Sequence, residues 1–149
     1  MGKEINKNRN DKEVSIIIDS LDEINKKFIT TKEESKKLIN DTEEVKKKLN
    51  EASEKVDKLK NGPFNQILED FLLMIDIIGA YINNEYKEIP FGSIIAILAA
   101  IIYVVNPLDI IPDVIPGIGL IDDAFVVALV IKQVHADLQN YKLWKENNK

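Results

Sequence analysis

Four aspartates, Asp109, Asp113, Asp122 and Asp123, are the residues of this chain whose type and spacing suit chemistry best. They fall within the stretch YVVNPLDIIPDVIPGIGLIDD (Tyr103 to Asp123), which contains no basic residue. Carboxylates gathered without a lysine or arginine repel one another, and their pKa values rise unless a cation joins them. Oxygen-only ligands would select Ca²⁺ or Mg²⁺ over zinc. The spacing is not that of an EF-hand loop. A structural role explains the same residues more simply. Asn106 or Asp109 closes a turn, Asp113 accepts backbone N–H groups, and Asp122 and Asp123 sit in the first turn of a helix, where the dipole favours carboxylates. A cation-binding domain, or a metal-dependent enzyme using the aspartates, is therefore the alternative reading.

Other catalytic machinery is hard to find. There is no cysteine, which excludes disulfides, thiolate metal sites and a cysteine nucleophile. The single histidine, His135, lies beside Lys132 and Asp137 and reads as a surface residue. No Ser-His pair has a nucleophile context. Gly117-x-Gly119 follows a proline turn and not a strand, so it fails the context of a dinucleotide fingerprint. Its glycines serve a tight turn or a close helix approach. A non-enzymatic role is expected.

The elements that would hold the aspartates are helical. Pro107, Pro112 and Pro116 fix φ and remove backbone donors, so no continuous helix crosses the stretch. The residues before them are pushed toward extended geometry. On one side lies FGSIIAILAAIIYVV (91–105), fifteen residues without a charge. On the other, AFVVALVI (124–131) is apolar again and continues to about Tyr141 along Val127, Ile131, Val134, Leu138 and Tyr141. Both runs are shorter than the ~20 apolar residues of a spanning helix. The hairpin either enters a bilayer part-way or forms the centre of a compact helical domain. Ahead of it, the segment 64–90 opens as an amphipathic helix with Gln66, Glu69, Asp76 and Asn83 on its polar stripe, apolar elsewhere through Ile82 and closed by Asn83-Asn84 and Pro90.

Residues 14–59 form a different kind of segment. Positions 14, 21, 28, 35, 42, 49 and 56 and positions 17, 24, 31, 38, 45, 52 and 59 keep a 3-4 spacing, apolar except at Thr31, Ser35 and Thr42. That 3.5-residue period is the mark of a left-handed coiled coil. The seam calls for a partner, either a second copy or another protein's helix, with packing against the chain's own domain as the alternative. Thr31-x-x-Glu34 reads as a capping box, so the arm is either one long helix or two helices with a break near Thr30. Asn61-Gly62-Pro63 ends the arm. The expected fold is all-α: a coiled-coil arm over 1–60, then a helical domain over 64–146 built as three helices with an apolar hairpin.

The segment NPLDIIPDVIPGIGLIDD resembles the signature of the YkvA-like family, small bacterial proteins of unknown function with a core pattern close to SPIDLIPDxIPxxGxxDD. The resemblance extends from Ile89-Pro90 to Asp137-Leu138 and Trp144, covers about residues 64–146, and leaves the arm outside. Asn106 replaces the usual serine and Ile110 the usual leucine. The resemblance implies a small, often membrane-predicted helical domain and carries over no catalytic residue.

Charge sharpens the expectation. The chain carries a net charge of −5, and residues 61–149 hold 5 basic against 11 acidic residues, a poor match for nucleic acid. Residues 88–131 contain no basic residue, whereas Lys87 precedes the hairpin and Lys132, Lys142 and Lys145 follow it. That pattern puts both hairpin ends on the cytoplasmic side of a membrane. Tyr81, Tyr86, Phe91, Tyr141 and Trp144 would form an interfacial aromatic belt. The opening MGKEINKNRN has no apolar core, so no cleaved secretory signal is expected. The reading is a non-catalytic, membrane-associated interaction protein, with a regulatory or inhibitory subunit as a further alternative.

Overall fold

A computed structural model describes residues 2–59, 65–105 and 118–148; within them, the side chains of 2–10, 16, 17, 20, 59 and 118–124 are outside the description. The described residues are all helical in their regular structure. In chain order they form α1 (Gly2–Leu38), α2 (Thr42–Leu59), α3 (Asn65–Ile82), α4 (Phe91–Val105), α5 (Ile118–Gln133) and α6 (His135–Asn147). Among them, no helix is long and apolar enough to cross a membrane.

The centre of the molecule is α4. All eleven side chains from Ile94 to Val104 are buried, because α1, α2, α3 and α5 pack around this helix. A helix that is apolar on every side needs such a sheath, since no orientation gives it a wet face. Of the two sequence alternatives for this run, the structure adopts the compact core. Protein covers the side chains of α4 from Ile94 to Val104, while Phe91 at its start is exposed.

The 3-4 seam supplies much of the sheath. Ile24, Val45, Leu49, Ala52 and Val56 join the same core cluster as Met74, Ile77, Ile97 and Leu138. The seam is thus used within the chain, and the stretch from Ile24 to Val56 is not open to a parallel coiled-coil partner. The polar seam positions explain themselves here. Thr31 and Ser35 are buried, and each hydroxyl donates to the carbonyl one turn back, Thr31 Oγ1 to Lys27 O at 2.8 Å and Ser35 Oγ to Thr31 O at 2.8 Å. These small, internally satisfied side chains cost little to bury.

The arm breaks at residues 39–41 and not near Thr30. Thr31 lies inside α1, so its capping-box pattern is silent. Asp41 is the actual cap: its Oδ1 accepts the Glu44 N–H at 3.2 Å, and its backbone carbonyl accepts Val45 N–H at 3.0 Å. Beyond the apolar hairpin, the expected single helix to Tyr141 departs from regular geometry at Val134 (φ −103°, ψ 15°). Helical hydrogen bonds still cross that point, from Val134 N–H to Val130 O at 2.9 Å and from Leu138 N–H to Val134 O at 3.0 Å. The expected stripe survives the kink, with Val127, Val134, Leu138 and Tyr141 all buried.

Candidate functional site

Of the sequence-predicted site residues, Asn106, Pro107, Asp109, Pro112, Asp113, Pro116 and Gly117 lie outside the described residues. Gly119, Asp122 and Asp123 lie on α5, whose backbone begins at Ile118. The helix therefore starts earlier than expected, and Asp122 and Asp123 fall in its second turn. Their side chains are outside the description. Among the described residues, no three His, Cys, Asp or Glu side chains come together as a metal site would require.

The polar constellation that the described residues do assemble lies where α3, α6 and the 83–90 connection meet. Asp76 comes from α3, which is otherwise almost free of charge after Asp70. Its Oδ2 accepts the Tyr141 hydroxyl at 2.6 Å and the Lys145 ammonium at 2.7 Å. Tyr141 and Lys145 stand four apart on α6, one turn, so a single carboxylate meets both. Tyr86 and Trp144 complete the cluster. Tyr86 meets Tyr141 edge to face at 5.0 Å between ring centroids, Trp144 lies 5.0 Å from Tyr86, and it stacks on Tyr141 at 5.7 Å.

The backbone places Tyr86 there by a helix stop. Asn84 adopts φ 62°, the left-handed conformation that asparagine tolerates at the end of a helix. The Glu85 and Tyr86 N–H groups then both donate to Ala80 O, at 2.9 and 3.2 Å, and the chain turns inward. Nearby, Ser93 Oγ donates to Asp137 Oδ2 at 2.6 Å, which ties the first turn of α4 to the first turn of α6.

The aromatic belt expected from the sequence is therefore replaced in part. Tyr86 and Tyr141 are buried and pack with Trp144 on one another. Tyr81 lies under the Lys87 ammonium at 3.8 Å, a cation–π contact. Phe91 alone of the five is strongly exposed.

Electrostatics favour a positioning role for this cluster. Burial is the main cause that raises the Tyr141 pKa well above its ordinary value, and the hydrogen bond to Asp76 and the charges of Asp76 and Glu85 add to it. Burial likewise raises Tyr86, helped by Glu88 and Asp137. Both phenols stay neutral near pH 7, so Tyr141 serves as a hydrogen-bond donor and offers no phenolate nucleophile. An open cleft of about 370 Å³ borders the cluster, with Asn50 and Ser53 from α2 on its other wall. The sequence could have signalled this arrangement only through Asp76, a lone carboxylate opposite a Tyr-x-x-x-Lys turn.

A second depression has the opposite character. Leu21, Ile24 and Phe28 of α1 face Phe125, Val126 and Leu129 of α5 across a groove of about 330 Å³. Its lining is mainly apolar.

Comparison with known proteins fits the signature read from the sequence. Residues 93–129 match the family described as "Protein of unknown function (DUF1232)". A curated relative, the uncharacterized membrane protein YkvA of Bacillus subtilis (strain 168), is 43% identical over 63 residues, which take in 42% of this chain and 59% of the relative. The aligned region thus spans about three fifths of the relative's length. No solved structure matches.

Proposed function

We propose that this chain, YkvA-like over its α4–α5 segment, is a membrane-associated interaction protein without a catalytic role. The observation that carries the reading is the match to a relative described as a membrane protein, together with the family match over residues 93–129. The enclosed position of α4 limits how contact is made. The side chains of α4 from Ile94 to Val104 are buried against α1, α2, α3 and α5, so the proposal assigns contact to the connecting segment 106–117. That segment, NPLDIIPDVIPG, holds five Leu, Ile or Val residues and no basic residue. Shallow insertion of such side chains depends on apolar area and not on attraction to anionic headgroups.

The test is fractionation and vesicle flotation. The protein should pellet with membranes, stay there in high salt and leave in mild detergent. Ile110→Asp and Val114→Asp together should abolish flotation with neutral vesicles while leaving the helical signal unchanged. Recovery of the unaltered protein in the soluble fraction would refute the reading.

A further inference from the structure

We infer that the exposed face of α1 is an antiparallel interface with a second copy of this chain. This deepens the interaction half of the proposed function and does not depend on the membrane half. The inference starts from a stripe that the core does not use. Val14, Ile18, Leu21 and Ile29 lie at helical spacing on one side of α1, each between 40% and 54% exposed. On α5, Phe125 and Leu129 extend the patch across the groove, at 39% and 52% exposed. Single exposed apolar residues are ordinary, but a contiguous patch along a helix and its neighbour marks an interaction site.

Charge at the two ends of the stripe selects the occupant. Asp11 lies one turn before Val14, and Lys32 lies one turn after Ile29. Neither forms an ion pair among the described residues; the Lys32 ammonium rests over the Phe28 ring at 5.4 Å. A two-fold interface is self-complementary, so residue i meets j and j meets i. With the axis passing between Leu21 and Asp22, Val14 faces Ile29 of the second copy, and Ile18 faces Asn25. In that register Asp11 faces Lys32, twice per dimer. A parallel pairing would instead set Asp11 beside Asp11 and Lys32 beside Lys32. Asp22 on the groove wall argues against an anionic bilayer as occupant.

Sedimentation and covalent trapping test the assignment on the full chain. The protein should sediment at twice the 16.9 kDa of one chain. Asp11→Lys and Lys32→Asp should each weaken the dimer about tenfold, because two attractive contacts become repulsive, and the double variant should restore it. The chain has no cysteine, so paired replacements report register. Val14→Cys with Ile29→Cys should form a disulfide-linked dimer under mild oxidation, whereas Ile18→Cys alone should not, since its two copies lie too far apart along the axis to bridge. A monomer at all concentrations, crosslinking through Ile18→Cys alone, or no rescue by the double swap would overturn the inference. Asp11, Val14, Ile18 and Ile29 are exposed and Lys32 is half-buried, and the helical signal of each variant verifies folding. Flotation separates the two proposals. Ile18→Glu should give a monomer that still floats, and Ile110→Asp with Val114→Asp a dimer that does not.

Discussion

Val45 lies in α2 and is fully buried, yet by sequence it belongs to an arm expected to pair outside the helical domain. Val45→Ala therefore tests whether arm and domain share one core. The substitution removes two methyl groups, about 1.6 kcal/mol at ~0.8 kcal/mol each. The cavity it leaves brings the total to roughly 2–3 kcal/mol. Unfolding entropy of about 2.1 cal/mol/K per residue gives a chain of this length ~0.3 kcal/mol/K, so the melting temperature should fall by roughly 6–10 °C. Trp144, the only tryptophan, reports the result from α6, far along the chain from the mutation. A shared core makes the Trp144 fluorescence transition move together with the far-ultraviolet helix signal. If Trp144 melts at its original temperature while only part of the helix signal shifts, the arm folds separately and the single-core picture is wrong.

Tyr141→Phe deletes the hydroxyl that donates to Asp76 at 2.6 Å. Lys145 remains as a partner for the carboxylate, so the expected loss is about 1–2 kcal/mol, seen as a lower denaturation midpoint with unchanged slope. The same variant should flatten the alkaline limb of stability. In the native protein the Tyr141 pKa is raised, so its contribution is complete below about pH 10 and is lost as pH rises beyond, where the unfolded phenol ionises and the folded one does not. An unaltered alkaline limb in the phenylalanine variant would contradict this. If Asp109, Asp113, Asp122 and Asp123 hold Ca²⁺ or Mg²⁺, a cation at a hundred times its Kd should add about 2.7 kcal/mol, and Asp113→Asn with Asp123→Asn should remove the gain. An identical melt with and without divalent cations would dismiss the cation reading. Asn84→Val should destabilise the protein by roughly 1–2 kcal/mol, because a β-branched residue resists the φ of 62°, and Asn84→Gly should not.

The helical character of the chain was legible in its residues. The seam at 3-4 spacing, the charge-free run 91–105 and the stripe from Val127 to Tyr141, apart from the kink at Val134, fall in helices, because period and apolarity are local properties of the chain. The family signature was legible too, since three prolines and four aspartates at fixed spacing need no fold to be recognised. Which surfaces would meet was not legible. A 3.5-residue seam looks the same whether it waits for a second molecule or folds back on its own α4. That choice rests on the burial free energy of a helix without a polar face, a quantity no local window contains. Thr31 illustrates the point: its capping pattern promised a helix start, and tertiary packing made it a buried interior position instead. Asp76, Tyr86, Tyr141 and Lys145 span 69 positions of sequence, and only the crossing of α3 with α6 brings them within hydrogen-bond and ring-contact distance.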